Sequence, residues 1–330
     1  MTVSVVVPTV GRPSLYDLLA ALTASSALSA AGPPVAEVIV VDDRRGAGRP
    51  LVEAPSTGRG DPPVRVVRGR AAGPAAARNV GWRAARGEWV AFLDDDVLPA
   101  AGWAARLAAD LLVPADVAGV QGRIVVPLPG GRPATDWERC TAGLADARWA
   151  TADMAYRREV LEAVGGFDER FPRAYREDAD LAYRVRRAGH RLTVGERSVT
   201  HPVRPEDRWV SLRTQRGNAD DALLRRLYGG GWRGLVEAPG GRRARHLAVT
   251  GAAALAGAAA VAHRPRVAAA AAALAVAGVA EFAWRRIAPG PRSVDEVLTM
   301  AATSALIPPL ATAHWVRGWL AHRGAAPWSG

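Results

Sequence analysis

Three consecutive carboxylates follow an apolar segment in the first third of the chain. Asp94, Asp95 and Asp96 come directly after Trp89–Leu93, a run typical of a buried strand. Because alternate residues leaving a strand point the same way, Asp94 and Asp96 can share one ligand while Asp95 faces elsewhere. Carboxylate oxygens suit Mg²⁺ or Mn²⁺ carrying substrate phosphates. The alternative is an acidic surface turn, but the position at the end of a buried strand favours a metal and phosphate site.

The surrounding segments alternate between strand-like and helix-like patterns. The predicted strands are Val3–Val7, Glu37–Val41, Val64–Val67 and Trp89–Leu93, and the predicted helices are Ser14–Thr23, Pro74–Arg86 and Glu177–Ala188, with a loop at 44–63 and a helix cap at Gly87. This alternation predicts an α/β fold with a mostly parallel sheet flanked by helices. Ligands bind such sheets at the carboxyl ends of the strands, where Asp42 and Asp43 join the other three acids. A divalent cation would offset the repulsion among these five carboxylates.

Six segments in a fixed order carry a resemblance to a known enzyme family. They are Val3–Thr9, Val38–Asp43, Gly73–Gly81, Trp89–Asp96, Thr151–Arg158 with Gly165–Asp168, and Arg176–Leu181. Together they resemble the blocks of family 2 glycosyltransferases, over about residues 2–220. The resemblance implies the GT-A fold, an inverting transfer, a nucleotide-diphosphate sugar donor, and Mn²⁺ or Mg²⁺ as the cofactor.

The resemblance also implies a donor site along the strand ends. The residues that would contact the nucleotide sugar are Pro8, Thr9, Arg12, Asp42, Asp43, Arg78, Asn79, Asp94 and Asp95. Asp43 is the expected contact to a uracil-like edge, whereas Asp42 has the alternative of a turn-forming residue. The expected metal ligands are Asp94 and Asp96, an Asp-x-Asp motif, with His201 as a further ligand. A structural histidine is the alternative for His201.

Asp178 is the predicted catalytic base. An inverting transfer needs a base that takes the proton of the acceptor hydroxyl as the hydroxyl attacks the anomeric carbon. The second acid of the Glu177-Asp178 pair has this role in the family, and Glu177 is the second choice. A neighbouring like charge and partial burial would both raise the pKa of Asp178. Alternatively, these acids and Asp180 belong to the acidic first turn of a helix, where they favour the helix dipole.

The acceptor side is expected to be formed by later segments of the chain. The residues predicted for it are Thr151, Asp153, Met154, Gly166, Arg213 and Arg216. Arg213 and Arg216 resemble a Gln-Arg segment of some processive relatives, but the fuller aromatic motif is missing. They have the alternative of solvated helix charges, and processivity is not predicted.

The formal net charge of +11 is unevenly distributed along the 330 residues. All 43 basic residues are Arg; residues 1–240 carry 33 Arg against 29 acids, and residues 241–330 carry 10 Arg against 3 acids. The second part contains the apolar runs Leu247–Ala262, Val267–Trp284 and Val297–Val316. We therefore predict a catalytic domain at 1–240 and a helical, membrane-associated region at 241–330. Ala-rich helices packed on the catalytic domain, or lying in the membrane interface, are the alternative.

The arginines at the ends of the apolar runs predict an orientation. In a hairpin of the first two runs, five arginines (Arg242, Arg243, Arg245, Arg285 and Arg286) share one side, against Arg264 and Arg266 on the other. The positive-inside rule then places the catalytic domain in the cytoplasm, at the cytoplasmic membrane. One cysteine, Cys140, excludes an internal disulfide, and the N-terminal residues do not read as a signal peptide.

The leading functional interpretation is a glycosyltransferase acting on an unknown hydroxyl acceptor, with a lipid-linked or cell-envelope glycan among the options. A nucleotidyltransferase of similar fold is the first alternative, but it requires a basic phosphate-gripping loop, and Gly11-Arg12 is too short for that. A nucleic-acid-binding protein is the second. The near balance of charge in residues 1–240 and the clustering of acids at the predicted cleft argue against it, so no nucleic-acid partner is expected.

Overall fold

Eight strands form one mixed sheet in the part of the chain that the computed structural model describes, residues 1–27, 35–46, 51 and 62–327. The strands are β1 Val3–Thr9, β2 Val35–Asp42, β3 Val64–Arg68, β4 Trp89–Leu93, β5 Leu98–Pro99, β6 Val117–Val125, β7 Asp153–Arg157 and β8 Arg191–Thr200. Their order is β3-β2-β1-β4-β7-β6-β8-β5. The pairings of β1 with β2 and β4, of β2 with β3, and of β6 with β8 are parallel. This confirms the α/β class with a mostly parallel sheet, while β7 and β5 add antiparallel pairings.

Twelve α-helices accompany the sheet in the described residues. They are α1 Ser14–Ala27, α2 Pro74–Ala84, α3 Trp103–Asp110, α4 Asp136–Ala142, α5 Arg158–Ala163, α6 Glu177–Arg187, α7 Val210–Arg213, α8 Asn218–Tyr228, α9 Trp232–Leu235, α10 Arg243–Val261, α11 Pro265–Ile287 and α12 Val294–Ala321. The predicted cap of α2 at Gly87 is wrong, because α2 already ends at Ala84 and Ala85 is extended. Gly87 instead lies against the backbone of β1, where its amide donates to Ser4 Oγ. Of the loop predicted at 44–63, residues 47–50 and 52–61 lie outside the described residues.

The sheet has an apolar layer on each face. On β1, Val5 and Val7 face a cluster that includes Leu18 of α1 and Trp103 of α3. Val6, between them, faces the opposite cluster with residues of α2, α5 and α6. This alternation explains the continuous β-branched run of β1, since a strand covered on both faces needs apolar residues at every position. The two layers fix the carboxyl ends of β1, β2 and β4 side by side.

The three C-terminal helices form a hairpin and a crossing helix. In the hairpin, Arg242 and Arg245 of α10 form ion pairs with Glu281 of α11, and the His246 ring packs on Phe282. These contacts place the start of α10 beside the end of α11, as the hairpin prediction requires. Each of the helices α10, α11 and α12 is long and apolar enough to cross a membrane by length and composition.

A buried arginine joins the hairpin to helix α4. Arg286, near the end of α11, donates to Thr303 and Ser304 of α12 and forms an ion pair with Asp136 of α4 at 2.8 Å. Arg139 of α4 in turn donates to the Arg286 carbonyl oxygen. The predicted boundary at 240 falls between α9 and α10, and it stays a prediction.

We expect Gly81→Ala to destabilise the protein by about 1–3 kcal/mol, because overpacking a tight core has a cost of this order. A Cβ at this position of α2 would overlap Val6 Cγ1 of β1 and lie 3.0 Å from Val41 Cγ2 of β2. The measurement is the free energy of unfolding by urea titration in detergent. The matched control is Gly143→Ala, where the backbone is helical and a Cβ meets nothing within 4 Å. Equal stability of the two variants would contradict the close packing of α2 on the sheet.

Candidate active site

The loop after β1 is held in place by Asp95. Thr9 Oγ1 donates to Asp95 Oδ2 at 2.6 Å, and Arg12 donates to Asp95 Oδ1 at 2.6 Å. Thr9 also accepts a hydrogen bond from the Gly11 amide. Asp95 is 1% exposed. Asp95 therefore faces away from Asp94 and Asp96, as predicted from strand alternation, but its predicted contact with the donor is corrected, since both of its oxygens organise the loop after β1.

An open cleft lies between the loops that follow β1, β2 and β3. Its volume is about 790 Å³, and its lining includes Val10, Asp43, Ala72, Gly73 and Pro172. Asp43 accepts from the Gly73 amide at 2.9 Å through Oδ2, whereas its buried Oδ1 has no hydrogen-bond partner in the described part of the chain. An unpaired buried carboxylate oxygen beside a cleft is suited to accept a hydrogen bond from a ligand. Pro8, half-buried within β1, does not line this cleft.

Asp42 has a local structural role. Its carboxylate accepts from the backbone and the guanidinium of Arg44 and forms a longer ion pair with Arg68 at 3.4 Å. Hydrogen bonds from Arg44 hold the pKa of Asp42 below its usual range, although burial opposes this. The turn-forming alternative for Asp42 agrees with this geometry, because Asx side chains commonly bond the backbone two residues on.

Asp94, Asp96 and His201 form a cluster that could hold a metal ion. One ligand atom from each lies within 4.8 Å of the other two. His201 Nδ1 lies 3.2 Å from the carbonyl oxygen of Pro202, which is a partner for an N–H at Nδ1 and leaves Nε2 available to a metal. Asp96 is 5% exposed, and burial together with the charge of Asp94 raises its pKa. A bound cation would offset both causes.

Arg204 is a member of this site that the sequence analysis missed. Its Nε lies 2.9 Å from Asp96 Oδ2, but that oxygen makes no geometrically sound hydrogen bond in the described residues. The guanidinium is half-exposed, so it is placed to neutralise Asp96 or a phosphate bound there. Its position three residues after His201 was the available signal, and it was overlooked because so many arginines in this chain lie on the surface.

A buried guanidinium connects the metal cluster to the acidic pair on α6. Arg78, 1% exposed at the start of α2, donates to Asp94 Oδ1 at 2.8 Å and to Glu177 Oε1 at 2.7 Å. Its charge also lies 5.6 Å from the centre of the Phe167 ring. Both terminal nitrogens are thus committed to protein carboxylates. The predicted direct contact of Arg78 with the donor is corrected to this bridging role.

The acidic pair begins helix α6. Glu177 is 2% exposed, and burial with the charge of Asp178 raises its pKa to about 8. Asp178 is half-buried, and its Oδ1 accepts from the amide of Ala179 at 2.7 Å. Burial raises the pKa of Asp178 as well, against the lowering effects of that amide and of Arg78. Asp178 Oδ2 has no hydrogen-bond partner among the described residues, so it is free to accept one from a ligand.

The backbone before α6 is strained. Arg176 has φ of 78°, in the left-handed region that non-glycine residues seldom adopt. Its side chain pairs with Asp221 at 2.9 Å and lies over the Tyr175 and Trp232 rings. These contacts hold the turn that directs Glu177 to Arg78, and strained residues of this kind cluster at functional sites.

Most residues predicted for the acceptor side lie in the protein interior. Asp153 is fully buried, and it accepts from Trp103 Nε1 and Arg197 Nε, each at 2.8 Å. Met154 is fully buried in the core on the other face of β7, and Thr151 is 3% exposed. The expectation that these side chains wall an acceptor site is therefore corrected. Arg197, the missed partner of Asp153, gave no signal in the sequence beyond its place in a strand.

Asn79 and Gly166 form a second internal contact. Asn79, 1% exposed, donates to the Phe167 carbonyl and accepts from the Phe167 amide, both at 2.9 Å. A Cβ on Gly166, which has φ of 72°, would overlap Asn79 and Trp82. Asn79 thus fixes the turn at residues 165–167 and is not open to a donor, and Gly166 is required there by its conformation.

Arg213 and Arg216 lie on the surface, away from the buried bridge. Arg213 pairs with Glu206 and Asp207, each at 2.6 Å. Arg216 is exposed and has no ion-pair partner in the described part of the chain. The geometry of Arg213 agrees with the solvated-charge alternative.

Comparisons with known proteins agree with this fold. Residues 4–165, just under half of the chain, match the family model described as glycosyl transferase family 2. A curated relative, the pre-mycofactocin glycosyltransferase of Mycobacterium tuberculosis, is 38% identical over 133 residues; the match covers 36% of this chain and 28% of the relative's length.

One solved structure extends the likeness over most of the chain, and a second has similar coverage at a lower TM-score. The mannosyltransferase PcManGT from Pyrobaculum calidifontis, in complex with GDP-Man and Mn²⁺, has 21% identity, a TM-score of 0.54, and coverage of 96% of this chain and 86% of that one. Residues 1–349 of S. aureus TarS, in complex with UDP-GlcNAc, have 15% identity, a TM-score of 0.48, and coverage of 98% and 92%. The fold is of the GT-A type. Residues 4–165 are similar to the glycosyl transferases of family 2.

We expect His201→Ala and Asp96→Asn to weaken Mn²⁺ binding by at least tenfold, because each removes one of the three ligands that converge. The measurement is isothermal titration calorimetry of the purified protein with Mn²⁺ alone. His190→Ala is the matched control, since His190 lies in the turn before β8, outside the cluster. Unchanged Mn²⁺ affinity in both cluster variants would show that the metal binds elsewhere.

Proposed function

We propose that this protein is an inverting, metal-assisted glycosyltransferase that moves a sugar from a nucleotide-diphosphate donor to an acceptor hydroxyl, with Asp178 as the general base. The observation that carries the proposal is the Arg78 bridge between Asp94 and Glu177. The bridge sets the candidate metal ligands and the acidic pair of α6 at one site. The family 2 match favours this reaction over nucleotidyl transfer, and Arg12, the basic residue of the first loop, is committed to Asp95.

The donor occupies the cleft beside Asp43 in this proposal. Asp43 Oδ1, buried and without a hydrogen-bond partner in the described residues, accepts from an N–H of the base. The diphosphate then extends along the strand ends toward Asp94 and Asp96. Arg204 lies beside Asp96 and can pair with a phosphate oxygen. The complex of the Pyrobaculum mannosyltransferase with GDP-Man and Mn²⁺ supports a donor of this class.

The donor set of the cluster fits Mn²⁺ better than Mg²⁺. Two carboxylates suit both ions, but imidazole nitrogen from His201 is a ligand that the harder Mg²⁺ seldom takes. When bound, the metal ion supplies electrostatic stabilisation of the departing diphosphate. The protein contributes the converging ligands and the buried Asp96, whose raised pKa reflects a site that favours added positive charge.

Asp178 performs the proton transfer. Its Oδ1 is fixed by the Ala179 amide, which leaves Oδ2 to accept the proton of the attacking hydroxyl. Burial raises the pKa of Asp178 and so strengthens it as a base. Glu177 is turned to Arg78 and holds it against Asp94, which makes Glu177 a positioning residue.

The hairpin of α10 and α11 anchors the enzyme in the cytoplasmic membrane. The two helices have 19 and 23 residues, and only 6% of each apolar window is buried in the protein. At 1.5 Å per residue these lengths approach or exceed the hydrocarbon thickness of about 30 Å. Three of the five arginines at the base of the hairpin, Arg242, Arg245 and Arg285, pair with Glu281, and Arg264 and Arg266 lie at the tip. This asymmetry supports a catalytic domain that faces the cytoplasm and takes its acceptor at the membrane surface.

We expect Asp178→Asn to lower kcat/KM by about 10²–10⁴, the usual contribution of general base catalysis. The assay incubates purified protein and Mn²⁺ with a panel of GDP- and UDP-sugars and measures release of the nucleoside diphosphate. Asp116→Asn is the matched control, because Asp116 lies on the surface in an ion pair with Arg191. Near-normal turnover of folded Asp178→Asn would refute the assignment of the base. Failure of the folded wild type with every donor would refute the proposed reaction.

The pH dependence should report Asp178. The base acts when deprotonated and burial raises its pKa, so kcat/KM should fall as the pH is lowered. The midpoint of this fall should lie above the ordinary pKa of an aspartate, about 4. The measurement is the pH profile of kcat/KM in the acid range. A profile that stays flat down to that ordinary value would contradict the raised pKa of Asp178.

A further inference from the structure

Helix α12 contacts the catalytic part of the chain near both of its ends. At its start, Glu296 Oε1 accepts from the backbone amide of Asp136 at 2.9 Å. Near its end, the Trp319 carbonyl accepts from Arg226 of α8 at 3.1 Å. The rise from residue 296 to residue 319 is about 35 Å of helix. A helix that crossed the bilayer would place its ends on opposite sides of a layer about 30 Å thick, and one catalytic domain cannot meet both.

The close packing of α12 continues between these ends. Met300, Thr303 and Ile307 are buried, and Gly318 lies so close to Ala219 of α8 that a Cβ would overlap it. One third of the apolar window of α12 is buried inside the protein, against 6% for α10 and for α11. The buried face of α12 is therefore a docking face for the catalytic domain.

The opposite face of α12 is exposed along its length and is apolar apart from Asp295 in the first turn. It carries Val294, Leu298, Leu306, Pro309, Val316 and Leu320, with alanines between them. At 3.6 residues per turn these six positions fall within an arc of roughly 120°. Val294, Leu298 and Leu320 are each at least 60% exposed. A continuous apolar stripe of this length on a docked helix needs an apolar partner.

The hairpin identifies the membrane as that partner. Its base crosses α12, where Arg286 donates to Ser304, the Arg243 guanidinium lies over the Trp315 ring, and Thr250 contacts Thr312. The exposed apolar surfaces of α10 and α11 are thus continuous with that of α12. Resting on the membrane attachment proposed above, we propose that α12 lies in the plane of the membrane interface, with its apolar stripe in the lipid, so that the chain crosses the bilayer only through the hairpin.

The proline pair of α12 agrees with an interfacial position. Pro308 and Pro309 have no backbone N–H, so the carbonyls of Ser304 and Ala305 lose their usual helical donors. In the hydrocarbon core such carbonyls would be costly, since no water reaches them. At the interface water can satisfy the carbonyl of Ala305, which is exposed, whereas Ser304 is buried in the protein.

Cysteine labelling in sealed vesicles tests the topology. Cys140 is the single cysteine, so Cys140→Ala provides a cysteine-free background. Single cysteines replace Asp295 and Arg323 at the two ends of α12, His263 at the hairpin tip, and Asp116 on the catalytic domain. We expect a membrane-impermeant maleimide to label the residue-295, residue-323 and residue-116 cysteines from one side and the residue-263 cysteine from the other.

The outcomes separate the two proposals. Labelling of the 295 and 323 cysteines from opposite sides, in protein that resists carbonate extraction, would overturn the interfacial position of α12 and leave the attachment standing. Release of the protein by carbonate would overturn the attachment, and the placement of α12 with it.

Measurements of depth in the membrane test whether lipid covers the apolar stripe of α12. Nitroxides are attached at positions 298, 306 and 320, and their depth in the membrane is measured from their accessibility to oxygen and to a nickel chelate. All three should lie at similar, shallow depths. Position 274 of α11, which is 70% exposed, is the deep reference. A spanning helix would make position 306 much deeper than the other two, which would refute the proposal. Spin–spin broadening with loss of oxygen accessibility would show a second copy of the chain on the stripe and would also refute it.

Discussion

The site depends on one buried guanidinium. Arg78 joins Asp94, which follows β4, to Glu177 at the start of α6, 99 residues after Arg78 in the chain. Burying a charge is costly unless it is paired and hydrogen-bonded, and Arg78 has two carboxylate partners. Arg78 therefore fixes the distance between the candidate metal ligands and the acidic pair, and its charge offsets the carboxylates on both sides. Loss of this bridge would leave like charges facing each other across the site.

Buried arginines also bridge other parts of the chain through carboxylates. Arg197 joins Asp153 to Asp110 inside the sheet, and Arg286 joins the hairpin to Asp136. Arginine suits these positions because it stays charged and offers several donors in a fixed plane. Some of the 43 arginines of this chain thus serve to fix its parts together.

The strand ends and the acids on them could be predicted from sequence, because buried strands are apolar runs that stop abruptly at polar residues. This reasoning placed Asp94 and Asp96 in one candidate site, the family resemblance added His201, and the structure brings the three together. The roles of Asn79 and Asp153 could not be predicted, because their partners Phe167 and Arg197 are 88 and 44 residues away. A polar side chain in a motif looks the same in sequence whether it meets a ligand or a distant backbone.

The apolar runs near the C-terminus illustrate the same limit. Composition predicts three similar helices, and by length and hydropathy all three could cross a membrane. Their contacts in the folded protein distinguish the three helices. Helices α10 and α11 pack mainly on each other, whereas α12 packs on α8 and also contacts α4. Which face of an apolar helix meets protein depends on residues far away, such as Ala219 and Arg226.

The most direct measurement of the central claim is a crystal structure of the full chain with Mn²⁺ and a nucleoside diphosphate, with anomalous data at the manganese edge. The account predicts one strong manganese peak within bonding distance of Asp94, Asp96 and His201, with the diphosphate on the metal and the base beside Asp43. It also predicts that Arg78 still bridges Asp94 and Glu177. Manganese bound away from these three residues, or a nucleotide outside the cleft at Asp43, would contradict it.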